Sequence, residues 1–196
     1  MLTLRTVADN PQLLTKNLTL HDKMLVFRPL VYTDVAALTA FFEAFSDEMR
    51  HFTGYKRDAL KTAQAHCDAI ARYDKLRFVL ETDAKQIVGL LEFSFALPGG
   101  DRERYDRNGI ILDSETDCRF GPVLADDYQD KGVGSQVMPV IKDIARKFGK
   151  SRIILWGGVL VENVRAIHFY EKHGFQHVGK FINQTGDDSL DMILDL

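Results

Sequence analysis

Between an alternating run that ends at Leu124 and an amphipathic run that opens at Val133 stands Tyr128-Gln-Asp-Lys-Gly-Val-Gly134-Ser135. A strand, a glycine-containing turn and a helix in immediate succession leave a chain few folds to choose from. Two glycines let the backbone turn tightly and approach a ligand closely. The first helical turn that follows has N–H groups without intrahelical acceptors and carries the positive end of the helix dipole. Together these features make a site for a phosphate or pyrophosphate. The same unit serves several protein classes, and the residues around it discriminate among them. A P-loop needs GxxxxGK followed by Ser or Thr, and no such string occurs. A dinucleotide fingerprint needs G-x-G-x-x-G opening an early βαβ unit. Here Gly132-Val-Gly134 is followed by Ser135, Gln136 and Val137, late in the chain, so ATP and NAD fit poorly.

The rest of the chain reads as one layered α/β domain. Its 196 residues suit a single core with a modest extension. Residues 1–23 form that extension, where Leu2, Leu4 and Val7, then Leu18 and Leu20, read as short strands; residues 24–196 form the domain. Leu25-Val-Phe-Arg-Pro29 reads as a strand that stops at the proline. Thr33 is placed to cap a helix carrying Val35, Leu38, Phe42, Phe45 and Met49 on one face. A second helix fits roughly 58–73. Strands follow at 78–81 and 86–95, and Pro98-Gly-Gly100 opens a long polar loop. Within it Asp101-Arg-Glu-Arg-Tyr-Asp-Arg107 mixes both charge signs and reads as a solvated stretch. A strand at 117–124 with a bulge or edge at Gly121-Pro122 leads to the glycine turn. A helix from about Gly132 to Phe148 has Pro139 inside it. A strand at 152–156 ends at Gly157-Gly158, Asn163 caps a short helix to His173, and two strands at about 175–183 and 189–195 finish the chain.

The motifs now identify a resemblance. Gln129-Asp-Lys-Gly132-Val-Gly134 resembles the Q/R-x-x-G-x-G/A acetyl-CoA-binding motif of the GNAT (GCN5-related) N-acetyltransferase superfamily. Asn163-Val-Arg-Ala166-Ile-His-Phe169-Tyr170-Glu-Lys-His-Gly174-Phe175 resembles that family's N-x-x-A-x-x-F-Y-x-x-x-G-F segment at the usual distance downstream. The resemblance is clear from Gly121 to Phe175 and general over the rest of 24–196. It implies a mixed, mostly antiparallel twisted sheet flanked by helices on both faces. It also implies a V-shaped splay between the strands at 117–124 and 152–156. By resemblance, the pantetheine arm of acetyl-CoA enters the splay and pairs with backbone near Val123 and Leu124. Backbone amides of Gln129, Asp130, Lys131, Gly132, Val133, Gly134 and Ser135 hold the pyrophosphate. Asn163 and Tyr170, seven residues apart on one helix, share a face, and in the family that face lines the cofactor arm.

The implied reaction is transfer of an acetyl group from acetyl-CoA, as co-substrate, to a primary amine by direct attack in a ternary complex. Tyr170 is the expected donor to the departing thiolate. The base is open. One branch of the family has a glutamate six residues before the last residue of the strand at 117–124, and counting back from Leu124 reaches Cys118. A bulge would bring Asp117 to that face; Glu92 on the neighbouring strand and a water chain are the other candidates. Without a base the same motifs suit a non-catalytic acyl-CoA-binding regulatory module. Ser46 to Lys56, with Asp47, Glu48, Met49, Phe52 and Tyr55, is the expected acceptor segment; its composition equally suits a packed loop or a homodimer contact. The acceptor is a small-molecule or peptide amine. A net charge of −3 without a basic run speaks against nucleic acid. Cys67 and Cys118 lack metal-ligand spacing, so no metal is expected. No apolar run reaches ~18 residues and no signal peptide opens the chain, so no membrane partner and a cytoplasmic location are expected.

Overall fold

The computed structural model describes residues 2–20, 23–72 and 74–196. The architecture is mixed α/β, an open and mostly antiparallel sheet flanked by helices. Contacts divide the chain into two compact units, Leu2–Glu92 with Pro122–Gln136, and Phe93–Gly121 with Val137–Leu196. No helix among the described residues is long and apolar enough to cross a membrane.

In the first unit α1 (Leu4–Asp9) stands where short strands were expected. Thr3 accepts the amide of Thr6 and caps the helix, and Val7 is buried. Strand β1 (Lys16–Leu20) pairs antiparallel with β2 (Lys23–Pro29), and β2 with β3 (Lys75–Thr82); β4 (Ile87–Ser94) comes next in order. Helices α2 (Val35–Glu43), α3 (Asp47–Thr53) and α4 (Ala59–Asp68) cover these strands. The apolar run expected to form one helix through Met49 is cut at Ser46, whose hydroxyl accepts the amide of Met49 at 3.1 Å and starts α3 anew. Asp34, not Thr33, organises the start of α2. Its carboxylate accepts the amide of Val31 at 2.9 Å and two bonds from Arg28 at 2.8 Å each. The second helix ends at Asp68, and position 73, its expected end, lies outside the described residues. Leu38, Phe41, Phe42, Met49, Ala63, Val79 and Leu90 form one buried core.

In the second unit β5 (Asp117–Leu124) runs parallel to β6 (Arg152–Leu155), from Asp117 opposite Arg152 to Phe120 opposite Leu155. The last bond of that ladder runs from the amide of Trp156 to the carbonyl of Phe120, at 2.9 Å. Beyond it β6 ends, at Leu155. Strand β9 (Asp188–Asp195) pairs antiparallel with β6, with the short β7 (Val159–Leu160) and with β8 (Gln176–Ile182). Ile154 faces Ile193 and Val159 faces Leu190, so residues 155–158 lie opposite only 191–192. This bulge is made at Gly157 and Gly158, with φ of 77° and 73°.

The expected polar loop after Pro98 is helix α5 (Gly99–Asp106), which buries Asp101 and Tyr105. Tyr105 packs into a core of Leu97, Leu112, Ile154 and Ile193, and Asp101, one helical turn before it, pairs with Arg104 and Arg119. Helix α6 (Val133–Lys147) follows the glycine turn, with Pro139 inside it, and α7 (Val164–Lys172) closes at Gly174 with φ 93°.

Candidate functional site

The glycine turn belongs to the first unit. After Leu124 the chain makes a 3-10 turn at Asp126–Tyr128, then passes through Asp130 at φ 55° and Gly132 at φ 82° into α6. Gln129 does more here than its place in the motif announces. Its side-chain amide donates to the carbonyl of Leu124 at 2.8 Å and so ties the turn to the end of β5. A Cβ added at Gly132 would meet nothing within 4 Å, so its backbone angle alone requires glycine and its surroundings are open. Lys131 and Asp130 are exposed, Gly134 and Ser135 half-buried, and Val133 sends its side chain into the interior while its amide belongs to the first turn of the helix. Val123 and Leu124 are half-buried, Val123 against the helical core. The residues at this turn fit a pyrophosphate: first-turn amides, an uncrowded glycine and a braced approach.

Glu92 lies elsewhere in the same unit, in a polar knot. One carboxylate oxygen accepts Arg77 Nε at 2.6 Å, the other the hydroxyl of Tyr55 at 2.6 Å. His66 Nε2 stands 3.2 Å from that hydroxyl and 3.4 Å from the carboxylate, with its Nδ1 2.8 Å from the carbonyl of Thr62. Burial pushes the Glu92 carboxyl up, but the bond and charge of His66, the Arg77 charge and the Tyr55 hydroxyl together hold it down at about 2. A carboxylate held there is a weak base. The knot also claims Tyr55 from the expected acceptor segment; its ring lies 4.8 Å from Phe42. Met49 is buried in the same core, Asp47 makes an exposed pair with Arg57, and Glu48 is exposed. Residues 37 positions apart meet at Glu92 and Tyr55, a pairing no local sequence signal announces.

In the second unit Asp117 is wholly buried. Arg152 donates to both of its oxygens, at 2.7 and 2.6 Å, and the amide of Asp113 donates at 2.7 Å. The carboxylate faces its partners and not solvent. Burial pushes the thiol of Cys118 up to about 12, so it is neither base nor nucleophile at neutral pH. Tyr170 is different. Its ring packs edge-on against Phe169 and Phe175, at 5.3 and 5.2 Å, and its hydroxyl makes no hydrogen bond to any described residue. Burial alone raises its pKa far above 10, so the phenol keeps its proton. Asn163 caps α7, its side-chain oxygen accepting the amide of Ala166 at 3.1 Å. Lys142 donates to the carbonyl of His173 at 2.8 Å and fixes the other end. No group of three or more His, Cys, Asp or Glu among the described residues could hold a metal ion.

A model of the family described as Acetyltransferase (GNAT) family matches residues 38–175. No curated protein sequence matches the chain. Among solved structures, the GNAT domain of S. lividans PAT superposes with a TM-score of 0.72 at 20% identity, over 95% of this chain and 99% of that one. The aminoglycoside acetyltransferase AAC(6')-Ib, solved with paromomycin and acetyl-CoA, gives 0.68 at 18% identity, over 87% and 93%. Spermidine N-acetyltransferase from Vibrio cholerae, with CoA and spermine, gives 0.65 at 21% identity, over 87% and 95%.

Proposed function

Because the chain belongs to the GNAT acetyltransferase family, we propose that it moves an acetyl group from acetyl-CoA to a primary amine in a ternary complex. The observation that carries this reading is the braced glycine turn, where Gln129 ties the turn that leads into α6 to the end of β5. Amides from Gln129 to Ser135 hold the pyrophosphate, with Gly132 leaving room for it. The arm lies along Val123 and Leu124; Pro122, lacking an N–H, offers only its carbonyl. Asn163 and Tyr170 line the arm from α7. Acetyl-CoA supplies an activated thioester. The neutral acceptor amine attacks the carbonyl carbon, and a backbone N–H near Val123–Leu124 stabilises the oxygen as charge develops. The carbon–sulfur bond breaks, and Tyr170 gives its proton to the departing sulfur. Glu92 and Asp117 are both tied to arginines, so the proton of the amine leaves through water.

Two measurements test the reading. Acetyl-CoA should raise the melting temperature, since a ligand that binds only the folded state stabilises it. Gly134→Val should then weaken acetyl-CoA binding by more than about tenfold, ~1.4 kcal/mol, with a much smaller change in the melting temperature of the free protein. No thermal response at millimolar acetyl-CoA, or an affinity within about twofold after the substitution, rejects the turn as the cofactor site.

A further inference from the structure

A chain of paired charges in the second unit ends at the fork of β5 and β6. Asp191, on β9 opposite the glycine bulge, accepts Arg104 at 2.8 and 3.1 Å. Arg104 also bonds Asp101 at 2.7 Å, and Asp101 in turn pairs with Arg119 on β5 at 2.8 Å. The guanidinium of Arg119 stacks 4.7 Å from the ring of Trp156, and that of Arg104 4.0 Å from the ring of Phe181. Trp156 follows the last residue of β6 and stands beside Gly121, where an added Cβ would lie 3.5 Å from its own. The bulge takes Trp156 out of the pairing with β9 while its amide still closes the ladder with β5, and the charge chain, anchored on the strand opposite the bulge, holds its ring at the fork.

The orientation of this wall is chemically selective. The carboxylates point inward, with side-chain exposures of 5% for Asp101 and 2% for Asp191. The arginine side chains are only slightly less buried, at 18% for Arg104 and 11% for Arg119. Each ring already carries a cation on one face. An acceptor that binds through several ammonium groups needs outward carboxylates or vacant aromatic faces for them. Near these residues it finds neither, because both carboxylates are buried against guanidiniums. An amine with a single charge on an apolar or planar body has no such need and gains contact with the indole.

We propose that Trp156 is a specificity-determining residue at the fork and that Arg119, held by Asp101, is its positioning residue, selecting monoamines with an apolar or planar body over polyamines. This rests on the acetyl-transfer reading above. The chain has one tryptophan, so its fluorescence reports on the fork directly. Phenethylamine, leucinamide, spermidine and kanamycin are titrated against the full-length protein with CoA present. CoA release with acetyl-CoA is then measured for the same four amines. Phenethylamine or leucinamide should perturb the indole emission, and their kcat/KM should exceed that of spermidine by about tenfold or more, ~1.4 kcal/mol. Arg119→Gln should shift the emission maximum and move that ratio toward spermidine through KM, and Arg119→Lys should restore it. Spermidine or kanamycin as the best acceptor, or a ratio unmoved by Arg119→Gln, overturns the proposal. The wild-type panel alone decides if the variant does not fold. Failure of the underlying reading has a different signature: no melting response to acetyl-CoA and no CoA release with any amine.

Discussion

Tyr170 and Glu92 present opposite solutions to the same problem. Both are ionisable groups largely removed from water. Glu92 has every need met, by Arg77, Tyr55 and His66, and its charge is locked in. Tyr170 has aromatic neighbours and no hydrogen-bond partner for its hydroxyl among the described residues. A saturated group stabilises the fold and has little chemistry left to give. A hydroxyl that no neighbouring side chain claims keeps its proton available, and a proton donor to a substrate has to be left in that condition. On the acetyl-transfer reading proposed above, the contrast separates a group that holds helices to a strand from one kept available for a reaction.

The comparison can be broken at several points. The largest effect should come from Glu92→Ala, which leaves the Arg77 guanidinium buried and unpaired. Unfolding in denaturant should show a loss of about 3–5 kcal/mol at pH 7. The milder Glu92→Gln carries a pH signature. The folded carboxyl sits near 2, below its ordinary 4.5, so its stabilisation is complete above about pH 4.5 and is lost as pH falls toward 2. The stability gap between wild type and Glu92→Gln should therefore close over that window. A gap constant from pH 7 to pH 3 would mean that Glu92 is not held ionised by its neighbours.

Next in size is Tyr170→Phe. It keeps the ring packing and removes only the hydroxyl. Turnover should fall roughly 10²-fold, the low end of general acid contributions, with acetyl-CoA affinity and melting temperature nearly unchanged. Because that hydroxyl has no partner, a slight rise in melting temperature is consistent and a marked fall is not. Unchanged turnover would assign Tyr170 to packing and the thiolate's proton to solvent. The smallest effect belongs to Asn163, which combines both kinds of role. Asn163→Ala should cost ~1 kcal/mol in unfolding, the usual value of a side-chain cap. Asn163→Asp keeps the acceptor for the Ala166 amide but loses the side-chain N–H donors. It should retain stability, so any loss of acetyl-CoA affinity in that variant isolates contact with the arm.

What the sequence could disclose follows the reach of each signal. The glycine turn and the Asn163–Phe175 segment are local strings, and both were legible with their secondary structure. So were β5 and β6, since Pro122 and the glycines mark where pairing must change. Helix α5 was not legible. Asp101 and Arg104 look solvated in their own window, and the partner that draws them inward, Asp191, lies 87 residues after Arg104. The Glu92 knot failed for the same reason, joining β3, β4, α4 and the second residue after α3. Thr33 reads as the cap of α2, while Asp34 organises that turn because its carboxylate takes Arg28, five residues before Thr33, and the amide of Val31. Gln129 was recognised by its place in a motif, while its work as a brace on Leu124 required coordinates.

The bulge between β6 and β7 also bears on how this chain can vary. At Gly157 an added Cβ would meet nothing within 4 Å, and only the left-handed backbone is demanding, so an asparagine fits there. At Gly158 the backbone is equally left-handed, and the Cβ would fall 2.8 Å from the ring of Phe181 and 2.9 Å from the carbonyl of Leu190. In a library that diversifies both positions, 157 should return a short list of tolerated residues and 158 a single one. A smaller residue at 181 would remove the ring but not the carbonyl, so it should not rescue position 158, and neighbouring glycines with nearly equal φ should differ in tolerance, one limited by its backbone angle alone and one by angle and space together.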